Sequence, residues 1–191
     1  MRIKDNNKRR AIRDAAVTEV IVGGLGGASV SKIAKRANVS AGTIYLYFPN
    51  KEELLQQVFL EIKTELHEHM MAVFKPTENS AENIKKMWFS LFEYILSNPN
   101  DFVFSEYVSA AQLLDDKRKP EVEAMAMEIG GILMSAIEDG TLRRVSLNSL
   151  SALLIAPAVQ LGKRAIHEEL PIDRQTIEDT FDMIWRGVSF S

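Results

Sequence analysis

Two short helical patterns separated by a tight turn occupy residues 29–51, and this arrangement limits the folds that are open to the chain. Apolar residues from Val30 to Ala37 fall at i, i+3, i+4 and i+7, which is one face of a helix of about two turns. Asn38 follows at the position where a helix ends in a left-handed residue, and Ser40 supplies a side-chain oxygen to cap a second helix. The segment therefore predicts a helix-turn-helix.

The second helix of this pair is short and carries small residues at its start. Ile44 and Phe48 are four residues apart and point inward together. The outward positions are then Ala41, Thr43, Tyr45 and Tyr47. Small residues at a helix start let its N-terminus approach a phosphate or a base edge closely. Pro49 ends the helix, and the run Asn50 to Glu53 predicts a capping box that opens the next, longer helix.

The charge of this part of the chain favours a partner that carries phosphates. An ordinary helical hairpin in a bundle is the alternative interpretation of the same pattern. Residues 1–51 contain ten Lys or Arg and three acidic residues, whereas the remaining chain has 13 basic and 23 acidic residues. The local net charges are thus +7 and −10, although the whole chain is only −3. Positive charge concentrated beside a helix-turn-helix is typical of phosphate binding, and the acidic remainder would repel DNA.

The segment from Ile12 to Leu54 resembles the N-terminal domain of the TetR (tetracycline-repressor) family of transcriptional regulators. The first helix of that family resembles residues 12–16, its loop glycine falls on Gly24, and its second helix matches residues 29–34. The most specific match is residues 39–48 followed by residues 51–54, with Tyr45 and Lys51 among them. These positions make up nearly a quarter of the chain.

Some residues depart from the family pattern. Lys32 occupies a position that is often acidic, and Glu19 falls where an apolar residue is usual. The run of residues 23–27 contains four glycines, whose conformational freedom predicts a mobile connection between the first two helices. A phosphate-binding glycine loop is not indicated, because the preceding strand and the wider motif are missing.

The resemblance implies a double-stranded DNA operator as the partner. It assigns phosphate contacts to Ser29 and Thr43, and a contact with phosphate or a base edge to Tyr45. Tyr47 and Lys51 are expected to meet the DNA backbone as well. Most of these contacts position the protein without reading sequence.

Base readout is expected to rest on few side chains. Ser40, Ala41, Thr43 and Tyr45 are the candidates, with apolar contact to a thymine methyl suiting the alanine and the tyrosine ring. The recognition helix has no Arg, Asn or Gln, so DNA shape and a basic N-terminal arm are expected to supplement direct readout. The predicted DNA-binding residues are Ser29, Ser40, Ala41, Gly42, Thr43, Tyr45, Tyr47 and Lys51, together with Lys8, Arg9 and Arg10 of that arm.

The rest of the chain predicts an all-α fold. Apolar residues from Leu54 to Phe74 trace one stripe along a helix of roughly 24 residues, and further amphipathic helices follow to the C-terminus. We expect residues 1–51 to form a three-helix helix-turn-helix DNA-binding domain with the basic arm. A long helix is expected to join it to residues 52–191, a helical bundle for effector binding and dimerisation.

Aromatic and methionine side chains in the bundle suggest a ligand. Core packing explains any one of them, but as a set they are typical of a pocket for a small hydrophobic or aromatic effector. The predicted ligand-binding residues are Trp88, Phe89, Phe92, Phe104, Tyr107, Met125 and Met134. The resemblance agrees, because members of the family typically bind a small molecule among these helices. Glu93 and Glu106 leave a cationic ligand open, or are simply solvated.

The last two helical patterns predict a homodimer. They run from Ser146 to about Glu169 and through the stripe Ile177 to Val188. Two such helices can simply close a core, but their counterparts in the TetR family pack against the same pair in a second subunit. Small residues, among them Gly162, are expected to let the partner approach closely. A two-fold dimer also suits two successive major-groove half-sites of a palindromic operator.

Other classes of protein receive little support. No catalytic, dinucleotide-binding or metal-ligand motif is found, so we expect neither an enzyme nor a cofactor or metal. The absence of cysteine excludes disulfides, and no apolar run is long enough for a membrane span, so a cytoplasmic location is expected. The predicted function is a ligand-responsive transcriptional regulator, a repressor released from its operator by the effector. The alternative is a dimeric small-molecule-binding helical module without sequence-specific DNA binding.

Overall fold

The computed structural model of the chain describes residues 6–167 and 172–190, and those residues are almost entirely helical. An isolated antiparallel bridge pairs Leu142 with Ser189. Within the described ranges the helices are α1 (Asn6–Gly27), α2 (Val30–Arg36), α3 (Ala41–Tyr47), α4 (Lys51–Met71), α5 (Ser80–Ser97), α6 (Pro99–Ala110), α7 (Lys119–Glu138), α8 (Leu147–His167) and α9 (Arg174–Val188). The all-α prediction is confirmed.

The chain divides into two compact units. The first is Met1–Thr64 with Asn100–Val122, and the second is Glu65–Pro99 with Glu123–Ser191. Helices α4 and α7 have residues in both units. The first unit thus extends past residue 51 and includes α6, while a functional boundary at residue 51 stays a prediction.

Helices α2 and α3 each begin next to a residue whose side chain caps the helix. The Ser29 hydroxyl accepts a hydrogen bond from the Lys32 amide at 3.3 Å, and Ser40 accepts one from the Thr43 amide at 3.1 Å. Such N-caps satisfy amides that lack a partner inside the helix. Asn38 has a φ of 53°, so the predicted left-handed turn between α2 and α3 is confirmed. Local sequence therefore fixes the helix-turn-helix.

The core of the first unit joins α1 to α4 with α6. Fully buried side chains include Ile12, Ile33, Ile44 and Phe48, and Phe104 of α6 belongs to the same apolar cluster. Burying one side chain of this size stabilises the fold by roughly 1.5–3 kcal/mol relative to leaving it exposed. The helix-turn-helix thus packs on α6 as well as on its sequence neighbours.

Ion pairs link helices of the first unit that are distant in sequence. Arg13 of α1 donates to Asp101 of α6 at 2.8 Å, and the guanidinium of Arg36 in α2 donates to Glu19 of α1 at 2.7 Å. Glu19 is buried, so the acidic residue at an expected apolar position has its charge compensated by Arg36. This pairing accounts for the departure from the family pattern.

The second unit is built on α5, which packs against α8. Ile84 of α5 shares an apolar cluster with Leu133 of α7 and with Leu150 and Leu154 of α8. The indole N–H of Trp88 donates to the Leu154 carbonyl oxygen at 2.8 Å, so its one polar group is satisfied inside the core.

Three sequence-based expectations are corrected. Lys8, Arg9 and Arg10 lie in the first turns of α1, so they do not form an arm that precedes the helix. The glycine run is also part of α1, which deviates from helical geometry at Gly24, with φ 66° and ψ 175°. Its connection to α2 is therefore short. Gly162 is buried against Ile95 within the same chain, so packing inside the unit explains this glycine.

Within residues 6–167 and 172–190, no helix is both long and apolar enough to cross a membrane.

Candidate functional site

The structure brings most of the predicted DNA-binding residues onto one part of the first unit. Ile44 and Phe48 are only 1% exposed and hold the inward face of α3 in the core. Ser40 is the N-cap, and its hydroxyl lies 2.9 Å from that of Thr43. Tyr45 is 54% exposed, on the flank of the helix. The helix therefore presents its polar N-terminus and one large aromatic ring to solvent.

Other predicted contacts are partly engaged within the protein. Tyr47 is partly buried and packs against the core of the first unit, with its ring 6.3 Å from that of Phe48. The ammonium of Lys51 donates to the carbonyl oxygens of Leu25 and Ala28 at 3.2 and 3.3 Å. Because an ammonium has three protons, Lys51 retains donor capacity beyond these two bonds.

The three cations in the first turns of α1 have different surroundings. Lys8 and Arg10 are exposed. Arg9 is partly buried, forms an ion pair with Glu61 and lies 6.0 Å from the centre of the Phe48 ring. Arg9 thus helps to hold α1 against α4 and α3, and its charge is partly neutralised.

Sequence reasoning missed Leu46. This leucine is 60% exposed on α3, next to Tyr45. Ile44 and Phe48 define the inward face of the helix. Because successive residues are 100° apart around a helix, Leu46 lies on the opposite side. The periodicity that identified the helix could therefore have identified this position.

The predicted ligand-binding residues are divided between the two units. Phe104 is fully buried in the core of the first unit, and Tyr107 is exposed in the same unit. The second unit holds the other five: Trp88, Phe89, Phe92, Met125 and Met134. Met134 is exposed, and Met125 is partly buried.

Three of the predicted rings belong to a packed aromatic cluster. The Trp88 ring centre lies 5.3 Å from those of Phe89 and Phe181, and 6.3 Å from that of Phe92. Phe181 in turn stacks on Trp185 at 5.6 Å. Aromatic pairs at these distances stabilise a core. Phe181 and Trp185, from α9, were expected to form an apolar stripe and were not assigned to a ligand site.

An apolar cavity lies beside this cluster in the second unit. Its volume is about 40 Å³, and α4, α5, α7 and α8 contribute its walls. The lining residues are Met70, Ile84, Met87, Trp88, Leu91, Ile129, Ile132, Leu133, Leu154 and Ile155. Every one is apolar apart from the indole N–H of Trp88, which the Leu154 carbonyl already occupies. The cavity thus offers hydrophobic contact and no hydrogen-bonding partner.

More polar grooves lie elsewhere on the second unit. One of about 470 Å³ includes Phe89, Glu93 and Arg174, and a neighbouring one of about 370 Å³ includes Phe92. Arg174 forms an ion pair with Glu178 at 2.7 Å. Glu93 therefore lies at an open charged groove of the second unit, and Glu106 belongs to the first unit.

Lys63 is a partly buried cation of the first unit. Burial lowers its pKa, and the nearby carboxylate of Glu106 opposes that shift. Its ammonium lies 5.3 Å from the centre of the Phe59 ring, within range of a cation–π contact.

Within the described residues, no group of three or more His, Asp or Glu side chains is arranged to hold a metal ion.

Comparison with known proteins matches most of the chain to two protein families. Residues 12–58 match the family described as "Bacterial regulatory proteins, tetR family", and residues 59–190 match the family described as "Tetracyclin repressor-like, C-terminal domain". The second match alone extends over more than half of the chain.

Individual relatives agree with these matches. An uncharacterised HTH-type transcriptional regulator of Haemophilus influenzae is 27% identical over 166 residues, which is 86% of this chain and 87% of that protein. The fatty acid metabolism regulator protein of Bacillus subtilis is 30% identical over 138 residues, 71% of each chain. The solved structure of a TetR family transcription regulator from Marinobacter aquaeolei VT8 has a TM-score of 0.90 at 26% identity and covers both chains completely.

Proposed function

This chain belongs to the TetR family of transcriptional regulators, and we propose that it is a repressor that a small apolar effector releases from a palindromic operator. Regulators of this family bind DNA operators and small-molecule effectors and act as dimers. The operator, the effector and the cytoplasmic location of this particular protein are our proposals.

The geometry of α3 carries the proposal of operator binding. Ile44 and Phe48 hold one face in the core, and Tyr45 projects into solvent. This helix belongs to a part of the sequence with a net charge of +7, so the surface attracts the phosphates that flank a DNA groove. Ser29, Ser40, Thr43 and Lys51 stay proposed DNA contacts.

Selection from random duplex DNA tests operator binding. We expect the purified, effector-free protein to enrich a palindrome whose half-sites are one helical turn or a multiple apart, with affinity falling steeply in salt. Transcription in vitro from a promoter that overlaps this motif is expected to fall when the protein is added. The absence of an enriched motif, together with intact small-molecule binding, would contradict the proposal and support a ligand-binding module.

The apolar cavity is the proposed effector site. Because its walls offer no unused donor or acceptor, we infer that the part of the effector that enters is a hydrocarbon. The cavity of about 40 Å³ is far smaller than the roughly 300–1,000 Å³ of drug-sized ligand sites. A ligand must therefore displace side chains, and the flexible Met70 and Met87 are the first candidates.

An alkyl chain is the form of hydrocarbon that we favour. The relative that is 30% identical is named as a regulator of fatty acid metabolism, which supports testing such chains first. If the chain alone enters the cavity, affinity should rise about fourfold per added methylene, which corresponds to roughly 0.8 kcal/mol. Alcohols and carboxylates of equal length are expected to show the same dependence on chain length, until the enlarged cavity is filled.

Effector and operator binding are proposed to be reciprocally coupled. A coupling free energy of about 1–3 kcal/mol changes operator affinity roughly 5- to 150-fold. Helix α4 carries both the proposed phosphate contact Lys51, at its start, and the cavity residue Met70, near its end. We propose that the effector acts through α4 by changing the spacing of the two recognition helices in the dimer.

A pair of variants in α7 tests the effector site. Ile129→Phe is expected to fill the cavity, so operator binding persists but alkyl ligands no longer weaken it. Met127→Phe is the control, because Met127 is 74% exposed two residues away and is not part of the cavity wall. Equal responses to ligand in the parent protein and in Ile129→Phe would refute this placement of the effector.

A further inference from the structure

The outward face of α3 has an apolar centre. Since successive residues of a helix are 100° apart, the positions opposite the buried Ile44 and Phe48 are Gly42 and Leu46, one turn from each other. The structure agrees, because Gly42 is exposed and Leu46 is 60% exposed. Tyr45 flanks this centre with a second large side chain, 54% exposed.

Neither residue is explained by the folding of the chain. A single exposed leucine is common on protein surfaces. Gly42, however, is the residue that should be replaced if stability alone mattered, because glycine is a poorer helix former than alanine. A Cβ at Gly42 would meet only the Ser40 hydroxyl oxygen, at an ordinary 3.7 Å, and the residue has no positive φ. The protein itself leaves room for a side chain there.

A DNA major groove explains both residues. Gly42 lets the backbone of α3 come close to the DNA, and Leu46, one turn later, then reaches the base edges. Leucine has no hydrogen-bonding group, and the apolar feature of the major groove is the C5-methyl group of thymine. The net charge of +7 in residues 1–51 favours a nucleic-acid partner over an apolar protein surface.

We propose that Leu46 is a specificity-determining residue that reads a thymine methyl in each operator half-site, and that Gly42 allows the approach this contact needs. The inference rests on the proposed operator binding and adds a residue and a base to it. It also shifts part of the base readout away from Ser40 and Ala41, towards the C-terminal half of α3.

A double-mutant cycle between protein and DNA tests the contact. The full-length protein and its Leu46→Ala variant are measured against the selected operator and against operators in which each thymine in turn is replaced by uracil, which removes only the methyl group. For one thymine of each half-site, we expect its replacement alone to cost the parent roughly fourfold in affinity, as for losing one buried methyl group. The variant should lose almost nothing further there, because the two changes remove the same contact.

Two further variants complete the test. Leu96→Ala removes an exposed leucine of α5 and is expected to leave the full uracil effect in place. Gly42→Ala is expected to keep or raise the melting temperature while operator affinity falls, a combination that a purely structural glycine would not give.

The possible failures are distinguishable. If Leu46→Ala responds to uracil as the parent does at every thymine, or if the half-site contains no thymine, the assignment of Leu46 is wrong while operator binding stands. If the parent protein selects no motif, operator binding itself fails, and the assignment of Leu46 fails with it.

Discussion

Lys51 shows how one side chain serves both folding and DNA binding. Its ammonium holds the start of α4 to the carbonyl oxygens of Leu25 and Ala28, at the junction of α1 and α2. The resemblance to the TetR family assigns it a phosphate contact. The two roles are compatible because one proton of the ammonium is not needed for the two carbonyl bonds.

Replacement of Lys51 separates these roles. Lys51→Ala is expected to weaken binding to all duplexes about equally and to reduce the slope of log affinity against log salt by roughly 0.9 for each bound subunit, as for one lost phosphate contact per subunit. Affinities over a salt series for specific and random DNA measure this. A lower melting temperature with an unchanged salt slope would mean that Lys51 is structural only, and an altered base preference would also contradict the phosphate assignment.

Lys63 makes stability depend on pH. Burial lowers its pKa in the folded protein below the ordinary 10.5, so between those two values the unfolded chain binds more protons than the folded chain. The free energy of unfolding therefore rises with pH between these two pKa values. Below the lower value, the full cost of burying the charged ammonium destabilises the folded protein.

Lys63→Met is expected to raise the melting temperature at neutral pH, because it removes the buried charge. The advantage should shrink as the pH rises past the lowered pKa of Lys63 towards 10.5, because the folded parent loses this proton in that range. Thermal unfolding of both proteins at pH 7–10.5 checks this, with Lys35→Met, at an exposed position of α2, as the control for removing a lysine. A constant difference at all pH values would show that packing, and not titration, is responsible.

At the level of helices, close packing of α5 on α8 depends on Gly162. A Cβ added there would lie 2.5 Å from Cγ2 of Ile95, closer than real Cβ contacts come. Gly131 of α7 is the opposite case, because a Cβ there meets nothing within 4 Å. Both glycines are inside helices, but their surroundings differ. Replacement by alanine is therefore expected to have opposite effects on stability at the two positions.

Gly162→Ala should destabilise the protein by about 1–3 kcal/mol, because overpacking outweighs the gain in helix propensity. Gly131→Ala should stabilise it by about 0.5–1 kcal/mol. Denaturant unfolding of the two variants and the parent measures both values. Stabilisation by Gly162→Ala would mean that α8 shifts easily against α5, which would overturn the packing argument.

For the whole molecule, exposed apolar side chains on α8 and α9 support the proposed dimer. Leu153 and Ile155 of α8 and Met183 of α9 are exposed although they are large and apolar. Exposed apolar side chains on two neighbouring helices are typical of an interface that a second copy covers. The family resemblance places the dimer contact on the same two helices.

Leu153→Glu combined with Met183→Glu is expected to yield a monomer of 21.5 kDa. Affinity for the palindromic operator should then fall roughly 10²- to 10⁴-fold, since two linked half-site contacts become independent. Sedimentation and operator binding measure both effects, and Met127→Glu on α7 is the control. A double variant that stays dimeric would place the interface elsewhere.

The sequence predicted the parts of this protein that depend on near neighbours. Ser40 and Asn50 cap α3 and α4 as expected, Ser29 caps α2 in the same way, and Asn38 makes the predicted left-handed turn. Each of these features involves hydrogen bonds over three or four residues, so the local order of residues contains the information. The inward face of α3 followed in the same way from helical periodicity.

Only the tertiary structure decided which distant residues meet. The sequence predicts Phe104 as a ligand-binding residue, yet it fills the core of the first unit. Arg118 forms ion pairs with Glu53 and Asp115, and the first of these pairs spans 65 residues of sequence. The apolar cavity likewise gathers its walls from four helices. By itself, the sequence determined where helices begin, where the chain turns and which face of a helix is buried, because these features depend on interactions between residues a few positions apart. Which apolar faces pack together depends on three-dimensional fit, which periodicity does not specify.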